Sequence, residues 1–561
     1  MKKYFKSIII AGAFLFGTNA CVHDLNVKSN DPNRVSEVDL DGLFLKIYAT
    51  LGLTGQQGPA GQGDIAGIDE GNSSFFRMIY TMNEFPADLI FWVWADVGVE
   101  DIRTARWNTA NPLIRGLYSR LYFNITLCNL YLDETAGDNS SDVRAKRAET
   151  RFIRALNYFY LLDMFGNVPF TTRISRENPQ QILRADLYAW LVDELRDLYK
   201  DLAPAGNRIS YYRVDQAAAW LLLSRLFLNA EVYTSVLETR TPGTPDWENA
   251  ALYAKKVIDS PYRLASEYRF LFMGDNNNLS AVNDAHREII LPIAQHGQFA
   301  RSWGGSMFLI AAHHTGEMAE WGTTDAWQCI RSRRQLVELF FPTLAPYEHL
   351  NNAAVKGETE YIISRAGDDR AMFTNFRVNE QGDVIMGSLM GRRFRQGVDA
   401  GTPTTAPFFE GWAITKFNNH FADPNRSPSD PVWPDMDIPF MRKAEAYLNY
   451  AEAVFRGAPE SGMSALEAIN IVRSRANATP LTSLNEMEIL RERGREFYSE
   501  GYRRSDLIRF NRFGGNAGNY HWEWKGGEFM SRHFEEFRNL YPIPMADMIA
   551  NPNLTQNYGY R

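Results

Sequence analysis

Three indoles crowd one short stretch, DLIFWVWADVGVEDIRTARWN, residues 88–108. Trp92, Trp94 and Trp107 stand there with Asp96, Arg103 and Asn108 close by. A pyranose ring presents flat patches of C–H separated by hydroxyls. Indole faces beside carboxylate and amide groups therefore have the chemistry to hold a sugar. Trp92 and Trp94 are two residues apart and share one face of an extended strand. Indoles also fill cores, so core and site both stand open for this pair. Trp107-Asn108 follows a polar stretch and suits a site equally well. A second group comes from RSWGGSMF and EWGTTDAW: Trp303, Trp321 and Trp327, set among glycines that give a loop reach. NYHWEWKGG, residues 519–527, is a third aromatic loop, able to pack on the body or to face a partner.

Other chemistries are weaker in the sequence. Gly61 and Gly63 lack the preceding apolar strand and the third glycine of a nucleotide loop. His313-His314 with Glu317 is the one hint of a transition-metal site, and adjacent histidines lack the i,i+4 spacing of a zinc-protease helix. A glycosidase needs two carboxylates facing each other across a groove, roughly 5 to 10 Å apart. The densest acids, in RERGREFYSEGYRRSDLIRF (491–510), lie among arginines at three- and four-residue spacing, which reads as ion pairing on a helix. No catalytic residue is assigned and no cofactor is expected. Asp-rich loops do have the oxygen chemistry for a structural calcium.

The elements that must position these groups are mostly helical. Apolar stripes at 3.6 spacing run through residues 112–132 (Leu113, Leu117, Leu121, Ile125, Cys128), 143–165, 216–233 and 441–455. Residues 37–50 read as a first helix. Gly166 ends the second stripe in FGNVP, with Pro169 opening an extended segment. After Gly457 and Pro459, Ser464 and Glu467 form a capping box that starts a new helix, so an αα-hairpin is predicted there. The stretches between are long and rich in Gly, Asn, Pro and aromatics, too long for simple connections. The predicted architecture is all-α dominated: a tetratricopeptide-like helical-hairpin scaffold (mainly 37–50, 112–273 and 441–510) with a large irregular, loop-rich subdomain. That subdomain is drawn from about 51–111, 274–440 and 511–534, and together they make one domain, 37–561.

The chain has 561 residues, a net charge of -8 and 13% aromatics, and no basic patch, which argues against nucleic acid. It opens MKKYFKSIIIAGAFLFGTNAC. Lys2, Lys3 and Lys6 precede a short apolar run, Ile8 to Phe16, the pattern of a signal peptide and too short for a stable span. Short residues then lead to Cys21, a thiol that can be acylated after export. Thr18 and Asn19 depart from the usual lipoprotein box, and an ordinary signal peptide with a coincidental cysteine reads the same residues. Residues 1–20 are taken as a lipoprotein signal peptide and 21–36 as lipidated cysteine and tether. Cys128 and Cys329 read as free buried thiols ahead of a disulfide.

Four blocks carry a family resemblance: RFIRALNYFYLLDMFGNVPF (151–170), AEAYLNYAEAVFRGAPESGMSALEAINIVRSR (444–475), EILRERGREFYSEGYRRSDLIRF (488–510) and the C-terminal NLYPIPMADMIANPNLTQNYGY. AAAWLLLSRLFLNAEVY and ALYAKKVIDSPYRLASEYRFLF fill the middle. From Cys21 to the end the chain resembles the SusD/RagB family of Bacteroidetes surface lipoproteins. The resemblance implies four tetratricopeptide-like units with an irregular ligand-binding subdomain. It implies a lipid anchor at Cys21 on the outward face of the outer membrane. It also implies a SusC-like TonB-dependent transporter as partner, and capture of oligosaccharides without hydrolysis. A peptide-binding scaffold and a glycoside hydrolase are the alternatives. Trp92, Trp94, Asp96, Trp107, Asn108, Trp303, Trp321 and Trp327 are the candidate glycan-binding residues.

Overall fold

The computed structural model describes residues 38–314, 321–342, 359–374, 377–378, 384–385, 411–515, 519–528 and 530–561. The signal segment, Cys21, most of the tether and Glu317 lie outside the described residues. Two compact units divide between Leu43 and Phe44, and the fold below is that of Phe44–Arg561.

Helices dominate, as the stripes predict. The first, α1, spans Leu40–Gly52. Helix α2, Phe75–Glu84, is buried at every residue. It lies in the 51–111 stretch expected to be irregular. FFRMIYTMNE is apolar nearly all round, so no stripe against a polar face betrays it. Ser74 caps it by accepting from the Arg77 N–H at 3.1 Å. Helix α3 (Pro112–Glu134) is capped by Asn111, whose Oδ1 accepts from the N–H of Leu113 and Ile114, with Pro112 at the first position. Helix α4 (Ser141–Met164) packs on α3 and stops at Gly166, whose φ of +72° favours glycine. Val168–Pro169 then runs extended. Helix α5 (Arg184–Leu198) packs on α4, and α6 (Gln216–Leu228) pairs with α7 (Trp247–Ile258). A short helix, α8 (Ser306–His313), is fully buried. It sits in the 296–327 stretch expected to be loop, hidden by the same lack of a polar face.

Helix α9 (Lys443–Phe455) packs on α7 and on α10 (Ala465–Arg475). The hairpin predicted there forms, with both reciprocal bonds of the Ser464–Glu467 capping box in place. The arginine- and acid-rich motif is two helices, α11 (Glu486–Phe497) and α12 (Arg503–Arg509), broken by a turn with Ser499 and Gly501 at positive φ.

The ion pairs of this motif run inward rather than along one helical surface. Glu492, fully buried, accepts from Arg370, Arg473 and Arg495 at 2.7 Å each. Glu496, also buried, meets Arg370, Arg442 and Arg475. Glu500 meets Arg442 and the buried Lys416. These residues bond elements far apart in sequence and tie the helical scaffold to the loop-rich segments. Cys128 and Cys329 are free and buried.

Two small antiparallel pairings set the site. Strands β1 (Ile90–Trp92), β2 (Ile289–Ile293), β3 (Ile330–Ser332) and β4 (Ile438–Arg442) pair as β1 with β3 and β2 with β4. Trp92 lies opposite Ile330, and Ile438 opposite Ile293.

Candidate functional site

Each strand pair delivers two aromatic loops to one place. The β1–β3 register, extended by Val93 N–H to Cys329 O at 2.9 Å, brings Trp94 and Asp96 beside Trp327. The β2–β4 pair is continued by two side-chain staples. Asp437 accepts from the Gln295 N–H at 2.8 Å, and Asp435 from the Gly297 N–H at 2.9 Å. That pairing places the loop carrying Trp303 against the loop carrying Trp433. A cleft of about 790 Å³ opens where they meet, lined by Asp69, Glu70, Gly71, Arg77, Trp94, Asp96, Val97, Trp303 and Trp327 among others.

The rings form a bent wall. Trp303 lies 5.9 Å from Trp327, planes tilted 45°, and 4.4 Å from Trp433, tilted 54°. Trp94 stands 5.8 Å from Trp92, near edge-on. Trp94, Trp303, Trp327 and Trp433 are all part-exposed, so each keeps a face toward solvent. The Trp327 indole N–H is spent on Asp325 at 3.1 Å, which fixes that ring.

Arg77, on α2, supports the wall from behind. Its guanidinium lies 4.7 Å from the ring of Phe308, 5.7 Å from Trp92 and 5.9 Å from Trp327, and donates weakly to the Trp303 carbonyl at 3.5 Å. Burial pushes this guanidinium below the ordinary arginine value, while Cys329, Asp69, Asp96 and Glu70 oppose the fall. An arginine so placed remains charged. Burial raises the Asp96 carboxyl, with Arg77 the main opposing influence. Burial, with Asp69 adding, pushes Glu70 up to about 7, and both its carboxylate oxygens are buried without a partner.

Close glycine contacts hold the wall in place. A Cβ on Gly71 would stand 2.6 Å from the Trp303 Cβ. One on Gly304 would stand 2.5 Å from the Gly71 carbonyl and 2.2 Å from Ser74 Oγ. Ser74 Oγ, which caps α2, also donates to the Gly304 carbonyl at 2.8 Å. The α2 start and the Trp303 loop are therefore one packed unit.

Of the residues singled out by sequence, Trp94, Asp96, Trp303 and Trp327 converge on the cleft. The rest do not. Trp92 is 1% exposed and packs between Phe85 and Phe308 under the wall. It does not share an exposed face with Trp94 because the strand ends at Trp92. Trp107 is 1% exposed, stacks at 4.8 Å on Tyr541 and donates to the Tyr560 hydroxyl at 2.6 Å, pinning the C-terminal segment. Asn108 is exposed and turns its Oδ1 to the Ala110 N–H. Trp321 is buried, 5.1 Å from the His314 ring, with its N–H on Thr323 and Asp325. These three leave the list of candidates that the cleft brings together. Sequence reasoning missed Trp433 and Arg77. Trp433 sits in VWPD, where the flanking prolines were its one sign of a rigid loop.

His313 and His314 are buried and each faces one backbone carbonyl, Leu309 and Phe417 respectively. Burial pushes both down to about 3, so they are neutral. Among the described residues no group of three His, Cys, Asp or Glu side chains is arranged to hold a metal ion. Among them, too, no helix is long and apolar enough to cross a membrane.

Comparison with known proteins places this geometry. The SusD family description matches residues 299–560. A second description, starch-binding associating with outer membrane, matches residues 72–228. Starch-binding protein SusD of Bacteroides thetaiotaomicron is 37% identical over 582 aligned positions, covering 100% of this chain and 99% of that protein. Among solved structures, surface glycan-binding protein A from Bacteroides fluxus superposes with a TM-score of 0.65 at 19% identity, over 94% of this chain and 100% of the other. The surface glycan-binding protein A from Bacteroides thetaiotaomicron in complex with laminarihexaose gives 0.62 at 17%, over 92% and 98%. These two likenesses establish the shared fold.

Proposed function

The chain belongs to the SusD family, and from that premise we propose that the tryptophan cleft binds a glucan chain, without cleaving it, for delivery to an outer-membrane transporter. The observation that carries the reading is the bent wall of part-exposed indoles, Trp94, Trp327, Trp303 and Trp433, beside Asp96 and Arg77. Rings tilted 45° and 54° to one another suit a curved chain, such as an α-1,4-linked glucan, better than a flat ribbon. The starch-binding relative at 37% identity supports the same choice. Binding without hydrolysis fits the acids of the 491–510 motif, whose Glu492 and Glu496 are buried and held by arginines rather than facing a groove. The protein works at the outer membrane, attached through acylated Cys21 and facing outward, with a SusC-like TonB-dependent transporter as the partner that receives the glycan. The signal segment ending at Cys21 and the family resemblance support this placement.

Calorimetric titration of the chain with α-1,4-linked gluco-oligosaccharides tests the reading. Trp303→Ala and Trp327→Ala should each weaken binding at least about ten-fold, about 1.4 kcal/mol, while leaving the fold intact. Absence of glucan binding by the wild type, or binding by both variants at wild-type strength, would overturn it. Binding of short peptides in the same cleft would point to the scaffold alternative instead.

A further inference from the structure

Beyond Trp433 the surface carries a second aromatic feature that the cleft does not account for. Phe299 is 81% exposed at the tip of a tight hairpin, a large apolar side chain offered to solvent. The hairpin is closed by reciprocal bonds between His296 and Ala300. The His296 ring lies 4.8 Å from the Phe299 ring with planes tilted 36°, so the two present a broad, shallow face.

This face is rigidly joined to the cleft. A Cβ on Gly297 would stand 2.6 Å from the Trp433 carbonyl oxygen, so the hairpin backbone lies directly on the Trp433 loop. Gln298 donates to the Ser429 carbonyl at 3.0 Å, and Gly297 donates to Asp435 at 2.9 Å. Arg301 closes the junction. It donates to the Gly297 carbonyl, pairs with Asp430 at 2.8 Å, and lies 5.9 Å from the Trp433 ring. Asp430 itself accepts from the Val432 and Trp433 N–H groups.

Resting on the reading of the cleft as a glucan site, we propose that Phe299 and His296 form a further sugar-binding platform that continues the path past Trp433 and engages only chains long enough to span both. Arg301 and Asp430, between the two aromatic groups, offer a donor and acceptors to sugar hydroxyls along the way. The platform makes the site select for chain length.

The test is titration of the full chain with α-1,4-linked gluco-oligosaccharides of three and of seven units. The wild type should bind the longer chain more tightly. Phe299→Ala should lose about three- to ten-fold for the seven-unit chain and nothing for the three-unit chain. Phe299→Trp should restore the length preference. Trp303→Ala should weaken both lengths, which marks the cleft itself. Equal binding by Phe299→Ala and wild type at both lengths would overturn the platform while leaving the cleft reading in place. So would an equal loss at both lengths, because Phe299 would then belong to the primary site. If the wild type binds neither oligosaccharide, the cleft reading fails and the platform fails with it.

Discussion

Replacing Glu492 by glutamine should destabilise the protein by about 3–5 kcal/mol at neutral pH. The magnitude follows from what the carboxylate holds. It is fully buried and receives one 2.7 Å bond from each of Arg370, Arg473 and Arg495. Burial alone would raise its carboxyl; Arg370, Arg495 and Arg473 outweigh that and hold it at about 2. Against an ordinary value of 4.5, that depression is worth about 3 kcal/mol in linkage. Glutamine keeps the shape but leaves buried guanidinium charge with fewer partners. At an unfolding entropy typical of this length, roughly 1 kcal/mol per degree, the midpoint should fall by about 3–4 °C. The pH dependence gives a second handle. A depressed carboxyl contributes stability that is present above pH 4.5 and is lost as pH falls toward 2. The gap between wild type and Glu492→Gln should therefore be full at pH 7 and narrow between pH 4.5 and 2. Differential scanning calorimetry across that range measures it. A gap under 1 °C at pH 7, or one that stays constant down to pH 3, would refute the reasoning.

Trp107→Ala should cost about 3–5 kcal/mol in thermal stability, through the lost stacking on Tyr541 and the lost bond to Tyr560, and leave glucan affinity unchanged. A binding loss without a stability loss would return Trp107 to the site. Gly71→Ala should weaken glucan binding, because its new methyl meets the Trp303 Cβ at 2.6 Å and must displace that ring; unchanged titration would show that the wall tolerates the shift. Glu84 accepts from the Gly501 and Tyr502 N–H groups, and burial pushes its carboxyl up to about 7. A raised carboxyl makes stability fall as pH climbs from 4.5 to 7. Glu84→Gln should accordingly gain on the wild type over that interval, by up to about 3 kcal/mol at pH 8. A flat difference across the interval would count against it.

The scaffold was readable because its signals are local. The stripe of Leu117, Leu121, Ile125 and Cys128 is wholly buried, Gly166 ends its helix, and Ser464 with Glu467 starts another. Helices α2 and α8 escaped because they are buried all round and carry no polar face. The ion network was readable in its residue types but not in its partners, since Glu492 reaches Arg370 across more than a hundred residues. The same difficulty governs the tryptophans. Trp107 and Trp303 are both flanked by polar and small residues, yet one closes a core contact and the other faces a cleft. What separates them is which strand pairing each loop follows, and that is a long-range fact. Trp433 joins the wall only because β4 pairs with β2, so nothing near it in sequence marks it.

The glycine contacts behind Trp303 also bear on how fast the site works. With Gly71 and Gly304 leaving no slack, the rings stand in place before any sugar arrives, and little ordering is required on binding. Association then waits on no rearrangement, and the lifetime of the complex is set by stacking alone in an open cleft. A protein that must surrender its cargo to a neighbour is well served by such a site: affinity enough to collect, and a short dwell time that keeps the handover from becoming the slow step.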